Sequence, residues 1–99
     1  MKMSLADFYI QLRRGDWNGC AYYYETDSQK GREGQQPRIR IRFDAVCTML
    51  NPNCMTFKGN GGSLSINGVR GIDCEQASAS CAMLTIHTDK SVPVYIYVR

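Results

Sequence analysis

From Arg38 to Val46 the chain reads RIRIRFDAV, with arginine and an apolar residue taking turns from Arg38 to Phe43. Side chains that must point alternately to two sides demand a strand, whose repeat is two residues. Ile39, Ile41 and Phe43 are thereby committed to a core, and Arg38, Arg40 and Arg42 to the opposite face. A strand with one apolar face needs antiparallel neighbours and something apolar to cover it. The end of the chain supplies one neighbour. From Pro93 to Arg99, Val94, Ile96 and Val98 alternate inward while Tyr95, Tyr97 and Arg99 face outward. Ala82 to Thr88 precedes it as the other half of a hairpin, turning at Asp89-Lys90-Ser91. Cys20 to Glu25, CAYYYE, has the aromatic content of a further strand.

The remaining segments are short and punctuated by turns. Met55 to Lys58 is extended and follows a loop over 48–53. Gly59-Asn60-Gly61-Gly62 is a turn rich in the residue that tolerates positive φ. Ser63 to Ile66 and Val69 to Cys74 are extended, with Asn67-Gly68 between them, and 75–80 is a loop. Thr26 to Pro37, TDSQKGREGQQP, is a polar connecting loop without an apolar side chain. Ser4 to Arg14 is the exception to this β pattern. Leu5, Phe8, Tyr9 and Leu12 form one helical stripe, Ser4 and Asp7 make a capping box, and Gly15 stops the helix after Arg13 and Arg14. The expected fold is α+β and mainly β, with an N-terminal helix packed on a bent antiparallel sheet of about six strands.

Ninety-nine residues, 43% of them hydrophobic, suit a single domain spanning 1–99. A net charge of +3 is too mild for a dedicated nucleic-acid binder and has the wrong sign for an acidic DNA mimic. The first residues carry no signal-peptide pattern, and no apolar run is long enough to span a bilayer. The expected compartment is the cytoplasm, where structural disulfides are disfavoured.

Five cysteines cannot all pair within one chain. Four of them form two pairs of equal spacing, Cys47 and Cys54 in CTMLNPNC, Cys74 and Cys81 in CEQASASC. Zinc takes four thiolates in a tetrahedron, often two from each of two turns, so these four are the candidate ligands of a structural zinc. Their six-residue gaps exceed the usual zinc-knuckle spacing, and buried free thiols are the alternative. Convergence depends on Asn67-Gly68. A tight hairpin turn there sends the two cysteine loops to opposite ends of the sheet, whereas a bulge in one long strand brings them to the same end. His87 is a lesser ligand candidate.

Arg38, Arg40 and Arg42 make a ladder on one strand face, and Tyr95, Tyr97 and Arg99 line another. Arginine interleaved with tyrosine suits single-stranded nucleic acid or a protein partner, while composition favours a plain solvated face with arginine stems across the rings. Catalysis finds no foothold. There is one histidine, no nucleophile-base set that can be placed together, and Asp16, Glu25, Asp44 and Asp73 stand apart.

With its single compact domain, polar loop and cysteine set from Cys47 to Cys81, the chain resembles, in general character and without a shared motif, the small phage-encoded anti-CRISPR proteins. The resemblance implies a non-catalytic inhibitor, zinc-stabilised, that binds a larger host enzyme in the host cytoplasm, a Cas nuclease first among them. The expected partner-binding residues are Arg32, Arg38, Arg40, Arg42, Tyr95 and Tyr97. The alternative is a small nucleic-acid-binding module using the same arginine-tyrosine face.

Overall fold

A computed structural model describes residues 1–15, 17, 19–27, 38–78 and 81–99, the side chains of residues 26, 27, 38, 39 and 77 excepted. In chain order these residues form β1 (Lys2–Met3), α1 (Leu5–Arg14), β2 (Tyr22–Asp27), β3 (Arg38–Phe43) and β4 (Ala45–Leu50). They continue as β5 (Asn53–Gly59), β6 (Gly62–Asn67), β7 (Gly71–Ser78), β8 (Cys81–His87) and β9 (Val94–Val98). The architecture is the expected one, mainly β with one N-terminal helix. The strands divide, however, between a six-stranded sheet in the order β1-β7-β8-β9-β2-β3 and a three-stranded sheet in the order β4-β5-β6. Every pairing is antiparallel.

The helix forms as its local sequence directs. Ser4 Oγ accepts from the Asp7 N–H at 3.1 Å, and Asp7 Oδ2 accepts from the Ser4 N–H at 3.3 Å. Gly15, in the left-handed region at φ 81°, donates its N–H to the carbonyls of Gln11 and Leu12. Leu5 and Phe8 are buried, and the Phe8 ring lies 5.1 Å from that of buried Trp17. The helix thus covers part of the inner layer beside β1, β7 and β4.

The core is the space between the two sheets. Phe57 from the small sheet is fully buried, with its ring 5.5 Å from Tyr22 and 6.0 Å from Phe43 of the large one. Met55 and Ile66 extend the small sheet's apolar face, and Ile72, Leu84, Ile86, Ile96 and Val98 form the large sheet's.

The chain passes between the sheets at two described places. At the first, Asp44 follows β3 and donates its N–H to the Lys58 carbonyl at 2.8 Å, so the next strand starts in the other sheet. Here Gly59 meets β3 so closely that a Cβ on it would lie 2.6 Å from the Arg42 carbonyl oxygen. At the second, Val69 donates to Asn53 of the small sheet at 3.1 Å, and Arg70 donates to His87 of the large sheet at 2.7 Å. Gly68, at φ 67°, makes the bend before them. Asn67-Gly68 is therefore neither the hairpin turn nor the bulge weighed above. It is a crossing from one sheet to the other.

A second difference concerns 48–53. Strand β4 runs to Leu50, only Asn51-Pro52 turns, with a cis bond, and β5 begins at Asn53. The segment is not a loop but most of a hairpin that pairs without interruption from Ala45↔Lys58 to Leu50↔Asn53. Thr48 lies opposite buried Met55, on the inward side, while Cys47 and Met49 point outward. Of the polar segment 26–37, Thr26 and Asp27 close β2 and 28–37 lie outside the described residues, as do Asp16, Asn18 and residues 79–80.

Two measurements test this core. Phe57→Ala removes the ring both sheets share and should cost about 3–5 kcal/mol in denaturant unfolding. Tyr22, buried beneath the seam, has its phenol pushed up to about 12 by burial, with a smaller contribution from Cys20. The neutral phenol is the folded form, so its contribution is complete below the ordinary tyrosine value and is lost as pH rises from about 10 toward 12. Tyr22→Phe should flatten the alkaline stability loss by on the order of 2 kcal/mol relative to the parent protein, read as paired urea titrations across that range.

Candidate binding face

The large sheet's inner face is covered by the helix and the small sheet, and its outer face carries the candidate residues. Alternation puts them there. In β9, Ile96 and Val98 are buried, whereas Tyr95 and Tyr97 remain 47% and 40% exposed. In β3, Phe43 is buried and Ile41 half-buried, while Arg40 and Arg42 are exposed. In β2, Tyr22 points inward and Tyr23 outward.

Strand order then joins what the sequence left as separate faces. Because β9 pairs with β2 and β2 with β3, Met83, Tyr97, Tyr23 and Arg42 stand in one row across four strands. The next row holds Thr85 opposite Tyr95, and Glu25 opposite Arg40. Tyr23 is the centre of the patch. The Arg40 guanidinium lies 5.5 Å from its ring centroid and that of Arg99 lies 5.9 Å away. Tyr23, Glu25, Arg40, Tyr97 and Arg99 together enclose a small recess.

The arginines are not bare charges. Arg40 donates twice to Glu25 Oε2, from Nε at 2.9 Å and from Nη2 at 2.7 Å. Arg42 Nε donates to Asp44 Oδ1 at 3.1 Å. Carboxylates that stand alone in the sequence are thus partners here, and Asp73 likewise lies 3.2 Å from His87 Nε2. Tyr23 and Glu25 are the members of this face that sequence reasoning passed over, and Arg99, placed outward with Tyr95 and Tyr97, joins them. Period two applied to CAYYYE would have singled out Tyr23. The pairing of Glu25 with Arg40 required knowing the register.

Of the expected partner-binding residues, Arg40, Arg42, Tyr95 and Tyr97 share this face. Arg38 lies in β3 opposite Asp27, and only its backbone is described. Arg32 lies outside the described residues.

The four cysteines named as zinc ligands are divided between the sheets. Cys47 and Cys54 lie on β4 and β5, on the outer face of the small sheet. Cys74 lies on β7 and is buried in the shared core, where burial pushes its thiol up against a smaller opposing pull from the N-terminal ammonium. Cys81 starts β8 on the large sheet, half-buried. With one thiol inside the core and two on the far side of the small sheet, the structure does not bring these four together. Among the described residues, no three His, Cys, Asp or Glu side chains gather in a way that could hold a metal.

Comparison with protein-family models, with characterised proteins and with solved structures finds no match for this chain. No helix among the described residues is long and apolar enough to cross a membrane.

The Arg40–Glu25 pair sits at the surface, with side chains 54% and 19% exposed. A double-mutant cycle of Arg40→Ala and Glu25→Ala should give a coupling of about 0.2–1 kcal/mol in unfolding free energy, the range of solvent-screened pairs.

Proposed function

We propose that the protein is a non-catalytic binding module that engages a larger protein through the tyrosine-arginine face of its six-stranded sheet. The observation that carries this reading is the pairing of Arg40 and Arg42 with carboxylates. Glu25 and Asp44 offset the charges of Arg40 and Arg42, so the face offers planar donors and aromatic area with a weaker positive field. A protein hot spot uses such groups, since tyrosine and arginine are enriched among the residues that carry interface energy. A phosphate-binding surface draws its affinity from unpaired cations releasing counterions. The mild net charge of +3 points the same way. Inhibition of a host enzyme is one use of such a module, and a Cas nuclease is the first partner to try on the strength of the anti-CRISPR resemblance.

A nucleic-acid module is the second reading, and one feature favours it. Tyr97 and Tyr23 are direct neighbours with Arg42 next in the row, an arrangement on which successive bases could stack.

The two readings separate in one set of measurements. Immobilised protein should capture a partner from host lysate, and Tyr95→Ala/Tyr97→Ala should weaken that complex about 30-fold or more while leaving the fold intact. The complex should change little between low and moderate salt. Binding of single-stranded DNA alone, falling on a log–log salt line with a slope of about −0.7 per phosphate contact, would replace this reading with the nucleic-acid one.

A further inference from the structure

The outer face of the small sheet carries Lys58, hydroxyls, Ala45 and a group of three sulfurs. Cys47 and Met49 lie two residues apart on β4, so both point to the same side. Cys54, on β5, is the direct cross-strand partner of Met49. Cys54 Sγ and Met49 Sδ stand 3.9 Å apart. Cys47 pairs with Thr56 and is therefore the diagonal neighbour of Cys54 on that same face. Cys47 and Met49 are exposed and Cys54 is half-buried, so a small solute reaches all three from solvent.

We propose that Cys47, Met49 and Cys54 form a three-sulfur site for one copper(I) ion. The reasons are separation, donor type and number. Three sulfurs bound in a plane at about 2.3 Å from one ion stand about 4.0 Å from each other, the spacing Met49 and Cys54 already have. Two thiolates with one thioether are soft donors, the class that selects copper(I). Zinc would need a fourth strong ligand, and the neighbouring positions among the described residues supply none. Cys54 is flanked on β6 by Asn67, and the hydroxyls of Thr56 and Ser65 lie 3.2 Å from each other. On binding, each cysteine thiol releases its proton and the ion keeps its single charge, so no oxidant or reductant is consumed. A disulfide is the competing chemistry. Diagonal cross-strand positions have Cα atoms roughly 7–8 Å apart, beyond the usual disulfide span of about 4.4–6.8 Å, whereas an ion between the sulfurs bridges the difference.

The test is an anaerobic titration of the reduced full chain with copper(I) against a chromogenic competing chelator, followed by copper-edge X-ray absorption. The expected result is one ion per chain scattered by three sulfurs. Cys47→Ser and Cys54→Ser should each weaken binding about 100-fold or more, and Met49→Leu about 10-fold. Cys20→Ser and Cys81→Ser should bind as the parent does, and circular dichroism should report an unchanged fold for the three site variants, whose positions lie on the surface. Parent-like affinity in Met49→Leu, scattering by only two sulfurs, equal loss in Cys81→Ser, or a stoichiometric Cys47–Cys54 disulfide in the air-exposed protein would each overturn the proposal.

Discussion

Phe57 stands where the two sheets meet, fully buried against Tyr22 and Phe43, and the rest of the architecture follows from keeping that seam closed. Three rings from three strands bury more apolar area than any aliphatic group nearby and fix how the sheets lie on each other. Keeping β5 against β3 requires backbone-to-backbone contact at their common end, which only a residue without a Cβ permits. Gly59 supplies it, beside the Arg42 carbonyl. The second crossing, at Gly68 to Arg70, changes its hydrogen-bond partners from one sheet to the other between successive residues. Neither crossing leaves these backbone groups unpaired, as a buried chain requires.

With the inner faces used for cohesion, chemistry is confined to the outer ones, and the two outer faces differ in kind. The large sheet shows tyrosine and arginine with carboxylates interleaved. Its charges are paired locally, Arg40 with Glu25 and Arg42 with Asp44. The small sheet shows hydroxyls, an amide and three sulfurs. These regions lie on opposite sides of the shared core, so a ligand on one does not obstruct the other.

The helix was legible because its determinants are local: a stripe of apolar residues, Ser4 and Asp7 at one end, Gly15 at the other. The inward and outward sides of β3 and β9 were equally plain, since alternation depends only on neighbouring residues. The reading of 48–53 as a loop failed for a related reason. In β4 the outward positions Cys47 and Met49 flank Thr48, so no clean contrast of apolar and polar survives, and Pro52 draws attention to a turn that occupies only two residues. Asn67-Gly68 misled because glycine after asparagine announces a bend without saying where the chain goes next. Its destination was set by which hydrogen-bonding edges were free.

Sequence by itself determined the helix, the mainly β composition, the faces of the alternating strands and the residue types available for binding. Only tertiary structure decided which of those residues became neighbours. Strand order brought Tyr97, Tyr23 and Arg42 into one row from distant parts of the chain, and register gave Arg40 its carboxylate. The same decision divided two equally spaced cysteine pairs between two sheets and set Met49 against Cys54. Local propensity reaches a few residues along the chain. Pairing across a sheet is chosen by the burial of all its apolar faces at once, and that sum is not written in any one segment.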